Sequence, residues 1–269
     1  NPDVTKNYVV HPAFTKDASY GGGWDNELPG IWIGKYEASL ANKNDGSNII
    51  PNNSNANILL SDNPDKTIVT KPGYSSWRYC TVGNMYTNAL SYDSSLKSHM
   101  LKNSEWGAVA YLTESQYGKN GTEVEQDKNG QYLTGGGEGN NYISLANVSS
   151  TGNVYGIYSL NGGSWEYVAS YLKNEDFSSA ESTFTDGINT KYSTAYDTDN
   201  EEESYKYGDA TYETSGWNQD RAGFIKSVGP FFIRGSNSYV DSNESGIFYY
   251  ADSTGERYSS ASFRLALAL

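Results

Sequence analysis

Apolar positions along this chain form short runs separated by long stretches of Asn, Ser, Asp and Gly. Ile31 and Ile33 alternate with other residues between turn formers, which predicts a strand near residues 31–38 after a loop-rich lead-in over residues 1–30. The next stretch, residues 41–65, predicts a long surface excursion. Short strands joined by long loops are therefore expected.

The clearest helical pattern is SHMLKNSEWGAVAYLTESQYG, residues 98–118. Its spacing of i, i+4, i+7 and i+11 is that of one helix face, and Gly118 is a suitable end. The predicted core stripe consists of Leu101, Glu105, Ala108 and Leu112, with Trp106 and Val109 beside it.

The second half of the chain predicts loops over residues 118–153 and an irregular acidic stretch over residues 173–223. Between them, a Gly-Gly turn in GNVYGIYSLNGGSWEYVASYL predicts two short strands, or a strand and a turn. Three more short strands are predicted in VGPFFIRG, GIFYY and SFRLALAL, the last with Phe263, Leu265 and Leu267 alternating against Arg264 and Ala266. The pattern favours one α+β domain over residues 1–269.

Composition narrows the classes of function. Aromatic residues reach 14%, with 24 Tyr and 6 Trp, so rings are expected to supply much of the core. A net charge of −13 argues against nucleic acid and anionic membranes as partners, and no apolar run is long enough to insert into a membrane. Cys80 is the only cysteine and is expected to be a buried thiol. The start at Asn1 suggests that any signal or anchor has been removed.

Motifs for catalysis are weak. His11 and His99 are the only histidines, and neither belongs to a nucleophile motif or a helical metal pair. The acidic run DTDNEEE lacks the Gly of a calcium loop and favours a solvated loop. In NGGSWEYV, the Glu166 carboxylate beside a tight turn has two interpretations: a ligand of a hard cation such as calcium, or the partner of a buried Arg.

Four blocks resemble, in order, the formylglycine-generating enzyme and sulfatase-modifying factor family. GKYEAS is similar to its KYEVT strand, KNSEWGAVAYL to its EAEWEYAA helix, VYGIYSLNGGSWEYV to its GLYDMAGNVWEW block, and FIRGSNS with ASFRLAL to its RGGSW and GFR ending. The resemblance covers most of residues 31–267 and implies that family's variant of the C-type lectin fold. It also implies a calcium site formed by the Glu166 carboxylate with the Gly162 and Ser164 carbonyls.

The resemblance does not extend to the enzyme activity. Formylglycine generators use a cysteine pair between the RGGSW and GFR blocks to bind copper, and residues 235–264 contain no cysteine. No catalytic residue and no required cofactor are therefore expected. The blocks also resemble a group of surface or pilin-associated proteins of gut Gram-positive bacteria.

The branch of this family that binds ligands comprises the variable proteins of diversity-generating retroelements, displayed on phage particles and bacterial surfaces. Their segment between the RGG and FR anchors is rewritten at AAC-type Asn codons, and most of residues 237–261 are reachable from AAC, whereas Glu244 and Glu256 are not. Tyr, Ser and Asn in such a segment suit recognition, because Tyr loses little side-chain entropy and the small polar residues adapt their hydrogen bonds. The predicted ligand contacts are Asn237, Tyr239, Asp241, Asn243, Tyr250, Asp252, Ser253, Arg257, Tyr258, Ser259 and Ser260.

The sequence therefore predicts a non-enzymatic, surface-displayed protein, either extracellular on a bacterial cell or on a phage virion. Its partner is expected to be a cell-surface protein or a glycan. The alternatives are a structural or pilus-associated surface subunit and a degenerate formylglycine-generating-type enzyme. Phe232, Ile247, Phe263 and Leu265 are expected to be buried as the rigid support of the C-terminal segment, residues 235–264.

Overall fold

The computed structural model describes residues 10–181, 189–240 and 245–268, and within them the protein is α+β, as the sequence predicts. Its helices are α1 (Val82–Tyr92), α2 (Asn103–Glu114) and α3 (Asn141–Ser144). Its strands are β1 (Ile31–Ile33), β2 (Ser39–Asn42), β3 (Lys66–Val69), β4 (His99–Met100), β5 (Trp165–Tyr167), β6 (Ser170–Leu172), β7 (Thr194–Tyr196), β8 (Phe231–Arg234), β9 (Tyr250–Ser253), β10 (Ala261–Phe263) and β11 (Leu265–Ala268). Short 3-10 helices cover Pro12–Phe14, Ala18–Tyr20, Ser94–Leu96, Ala146–Val148, Ser178–Ala180, Thr190–Tyr192, Tyr212–Thr214 and Trp217–Gln219.

Strands near the C-terminus organise two of the sheets. One sheet has the order β1-β11-β4, in which both pairings are antiparallel. The larger sheet has the order β10-β5-β8-β9, with β10 parallel to β5 and the other two pairings antiparallel. The remaining strands form two two-stranded sheets, β2-β3 and β6-β7. The C-terminal segment is thus held at β9 and β10 by the larger sheet.

Aromatic residues fill the core. One cluster forms around Trp77 and Phe263, and a second forms around Trp106, whose indole Nε1 donates to the Ile247 carbonyl at 2.8 Å. The predicted burial of Phe232, Ile247, Phe263 and Leu265 is confirmed. The predicted burial of Cys80 is also confirmed, and this burial raises the pKa of its thiol.

Helix α2 differs from the predicted helix in its start and in its buried face. It begins at Asn103, because His99–Met100 pairs with β11 as a strand. Trp106, Ala110 and Thr113 face the core, whereas Leu112 is 59% exposed. Glu105 is buried because its carboxylate lies 3.1 Å from His99 Nε2 and accepts from the Lys102 backbone N–H at 2.9 Å. The predicted stripe was therefore wrong at Leu112, which lies on the exposed side of the helix.

The C-terminal strands differ in two respects. The predicted alternation in the last strand was wrong: Arg264 and Ala266 are fully buried, while Leu267 is half-buried, because β11 lies between β1 and β4. In GIFYY, only Tyr250 is in a strand, since residues 246–249 precede β9. No helix in the described ranges is long and apolar enough to cross a membrane.

Candidate ligand-binding surface

Two buried arginines bound the C-terminal segment. Arg234, at the end of β8, donates through Nη2 to the Ala210 carbonyl at 3.0 Å, and its guanidinium lies over the rings of Trp106 and Tyr250. Arg264, between β10 and β11, donates from Nη1 to the Gly34 carbonyl and from Nη2 to the Tyr158 carbonyl, both at 2.9 Å. Both ends of the segment are therefore tied to the core by buried hydrogen bonds.

Glu166 is the main partner of Arg264. Arg264 Nε donates to Glu166 Oε2 at 3.0 Å, and Arg264 Nη2 donates to Glu166 Oε1, so the ion pair is bidentate. Both side chains are buried. Of the two interpretations of Glu166, the structure shows the partner of a buried Arg.

The residues present do not form the expected calcium site at Gly162, Ser164 and Glu166. Both oxygens of the Glu166 carboxylate face the positively charged guanidinium of Arg264, which opposes a second cation there. Within the described ranges, no group of three or more His, Cys, Asp or Glu side chains is arranged to hold a metal ion.

A second carboxylate lies beside the pair. Glu37 is fully buried, and its Oε1 accepts from the Ser164 backbone N–H at 2.9 Å. Burial, followed by the neighbouring Glu166, raises the pKa of Glu37 well above its usual range. The raised pKa favours the neutral form of Glu37 beside the Arg264–Glu166 ion pair.

The structure places the predicted ligand contacts in different environments. Exposed contacts are Tyr239, Arg257, Tyr258 and Ser259; partly exposed contacts are Asp252 and Ser260; buried contacts are Asn237, Tyr250 and Ser253. Asp241 and Asn243 lie outside the described residues. Asp252 stands apart from the exposed group, on the edge strand β9 and against Gly229.

Asn237, Tyr250 and Ser253 were predicted as ligand contacts, but their side chains are buried and hold the segment in place. Tyr250 is 0% exposed and donates from its hydroxyl to Glu201 Oε1 at 2.7 Å. The Ser253 hydroxyl lies 2.9 Å from the Tyr167 hydroxyl, and the Asn237 side-chain oxygen accepts from the Tyr239 backbone N–H at 2.7 Å. These contacts engage all three side chains within the protein.

The exposed residues meet two partners from elsewhere in the chain. The Tyr239 ring, 66% exposed, lies 5.3 Å from the Tyr132 ring, and its hydroxyl donates to the Gly130 carbonyl. Arg78 packs its guanidinium 4.3 Å from the Tyr132 ring centroid and donates from Nη1 to the Ser259 carbonyl. Arg78 therefore connects the two ends of the segment: it donates directly to the Ser259 carbonyl, and it reaches Tyr239 through the ring of Tyr132.

The ring of Tyr79 extends the same surface. The Tyr79 backbone N–H donates to the Tyr258 carbonyl at 2.9 Å, and the Arg78 guanidinium lies 5.7 Å from the Tyr79 ring centroid. We define the tyrosine surface as Tyr79, Tyr132, Tyr239 and Tyr258, with Arg78 packed among them. Sequence reasoning missed Arg78, Tyr79 and Tyr132, because they lie outside the segment and no local pattern links them to it.

Two carboxylates with raised pKa values lie near the middle of the segment. Asp220 Oδ2 accepts from the Phe248 backbone N–H at 2.9 Å, and Glu123 Oε2 accepts from the Asn218 side chain at 2.8 Å. Burial, followed by the charge of Asp220, raises the pKa of Glu123 to about 7. Burial is also the main reason that the pKa of Asp220 is raised to about 6.

These two raised pKa values predict a pH dependence of stability. An acid whose pKa is higher in the folded state stabilises the fold fully below its unfolded pKa of about 4, and this contribution is lost as the pH rises through the folded pKa. We therefore expect the contribution of Glu123 and Asp220 to the free energy of unfolding to fall between about pH 4 and pH 7.

Urea unfolding across this pH range checks the expectation. The double variant Glu123→Gln/Asp220→Asn should lose less stability than the wild type as the pH rises, whereas Glu27→Gln, at an exposed position, should follow the wild type. If the free energy of unfolding falls equally with pH in the double variant and the wild type, Glu123 and Asp220 do not cause the pH dependence.

Neither a scan against protein-family models nor a search of the curated proteins finds a match for the chain.

Proposed function

We propose that this protein binds a ligand without catalysis, through the tyrosine surface, and is displayed on a bacterial cell or a phage particle. The proposal includes the C-type lectin fold of the formylglycine-generating-enzyme-like type and the hypervariable C-terminal segment that the sequence resemblance implies. Its partner is a protein or a glycan on a cell surface.

The observation that carries the proposal is the division of one short segment into buried anchors and exposed contacts. Tyr250 and Ser253 are directed into the core, while Tyr239 and Tyr258 are 66% and 39% exposed. Arg78 holds the exposed ends together through Tyr132 and the Ser259 carbonyl. Such a division supports a recognition surface whose outer side chains are free to differ between copies.

Tyrosine is well suited to this use. Its ring buries a large area while only two side-chain torsions are restricted, and its hydroxyl gives one directional hydrogen bond. The preformed contacts of Tyr132 with Tyr239 and with Arg78 reduce the entropy that binding would cost. A surface held in this way suits binding better than an unsupported loop does.

Sequencing the same locus from sibling isolates tests the proposal. We expect substitutions between residues 237 and 261 at codons reachable from AAC, concentrated at Tyr239 and at residues 257–259. The codons for Ile247 and Phe248 should stay unchanged, because these side chains are buried in the core. Arg78 and Tyr132 should also stay unchanged, because they support every version of the surface.

Two outcomes would count against the proposal. A uniform locus would remove the hypervariable binding segment and favour a structural surface subunit. Substitutions spread evenly over buried and exposed positions would show that the tyrosine surface is not where selection acts.

A further inference from the structure

A polar cleft of about 680 Å³ lies beside the tyrosine surface. It is lined by Thr81, Ser178, Ser179, Glu181, Glu256 and Arg257. Arg257 precedes Tyr258, so the cleft continues the tyrosine surface at the connection between β9 and β10. Its volume is within the range of about 300–1,000 Å³ that small-molecule sites occupy.

Several polar groups in the cleft already have protein partners. The Thr81 hydroxyl donates to Asn57 Oδ1 at 3.2 Å, and Glu181 Oε1 accepts from the Asn57 side chain at 2.7 Å. These bonds fix the wall of the cleft.

Other groups in the cleft are uncommitted. Among the residues that the structure describes, the side chains of Glu256 and Arg257 make no hydrogen bond or ion pair, and neither does the Ser179 hydroxyl. All three side chains are exposed. The cleft therefore offers a guanidinium, a carboxylate and a hydroxyl to whatever enters it.

The mixture of charges limits the ligand. A bare anion attracted by Arg257 would meet the carboxylates of Glu181 and Glu256, and a bare cation would meet the guanidinium. A hydroxyl group on the ligand suits both kinds of charged side chain, because it donates to a carboxylate and accepts from a guanidinium in charge-assisted hydrogen bonds. Several hydroxyls on one rigid ring would use the cleft most fully.

We propose that the cleft binds a neutral sugar unit, so that the ligand of the tyrosine surface is a glycan and not a protein. This inference rests on the proposed function. Tyr258 follows Arg257 in the chain and its side chain is 39% exposed, so its ring is available to pack against the C–H groups of the sugar. Glu256 is not reachable from an AAC codon, so we expect it to serve as a constant hydrogen-bond acceptor, whereas Arg257 is a position that sets sugar preference.

Saturation-transfer NMR with methyl glycosides of neutral hexoses and N-acetylhexosamines tests the inference, with glucuronic acid and lysine amide as charged comparators. We expect at least one neutral glycoside to bind in preference to both comparators. Arg257→Ala and Glu256→Gln should each weaken that binding about tenfold, since each removes a charge-assisted hydrogen bond. Arg221→Ala and Glu27→Gln are matched controls at exposed positions and should bind as the wild type does.

The inference is overturned if no neutral glycoside binds, if a charged comparator binds better, or if Arg257→Ala and Glu256→Gln both bind as the wild type does. Thermal unfolding of each variant confirms that a loss of binding is not a loss of fold. Sibling sequences that vary at exposed positions, together with no sugar binding, would refute the sugar and leave the proposed function standing. Sugar binding together with a uniform locus would refute the hypervariable segment of the proposed function and leave the sugar site standing.

Discussion

Replacing Arg264 with methionine is expected to destabilise the protein by about 3–5 kcal/mol, which is typical when one partner of a buried ion pair is removed. The variant leaves the Glu166 carboxylate in the core without its bidentate partner. It also removes the donors to the Gly34 and Tyr158 carbonyls, which are both 2.9 Å from the guanidinium. Urea unfolding at neutral pH gives the free energy difference.

Two further variants make the result specific. The double variant Arg264→Met/Glu166→Leu should recover part of the lost free energy of unfolding, because it no longer buries the unpaired Glu166 carboxylate. Lys173→Met breaks an ion pair with Asp197 on the surface and should cost no more than about 1 kcal/mol. If Arg264→Met and Lys173→Met cost the same, the buried pair does not anchor the C-terminal segment.

Gly107→Ala is expected to destabilise the protein by about 3 kcal/mol, although the same change inside an exposed helix would stabilise it by about 1 kcal/mol. A Cβ atom at Gly107 would lie 1.9 Å from the Gly208 carbonyl oxygen and 2.7 Å from the Asp209 backbone. That backbone cannot move freely, because Asp209 Oδ2 accepts from the Tyr196 hydroxyl at 2.6 Å. The crossing of helix α2 over residues 208–209 therefore requires glycine.

Gly30→Ala is the matched control. An added Cβ at Gly30 has no neighbour within 4 Å, so the change should alter stability by less than about 0.5 kcal/mol. Thermal unfolding of the two variants side by side checks both expectations. A Gly107→Ala protein as stable as Gly30→Ala would show that the helix can move away from residues 208–209.

The sequence predicted the C-terminal framework well and the helices less well. Apolar runs around Phe232 and Phe263 predicted strands, and the burial of both side chains is confirmed. Helix α1 was missed, since its buried face includes Asn88, which has the appearance of a loop residue in a sequence. The Asn88 amide is satisfied by the Leu60 N–H and the Ile58 carbonyl, both at 2.8 Å, which no local pattern reveals.

The sequence also predicted only part of the candidate surface. Composition predicted that the C-terminal segment would carry contact residues, and within it the side chains of Tyr239 and Tyr258 are exposed. Tyr250 has the same side chain and is fully buried, because β9 directs it toward Arg234. The roles of Arg78 and Tyr132 depend on contacts across more than 100 residues of chain with the segment, so they require the three-dimensional structure.

The position of Arg264 between two strands has a consequence for how such a protein can evolve. β10 pairs with β5 in one sheet, and β11 pairs with β1 and β4 in another, so a single residue separates two independent attachments of the chain. Side chains at Tyr239 and at residues 257–259 add little to either attachment. Sibling copies that differ at these positions are thus expected to recognise different ligands and yet unfold at the same temperature.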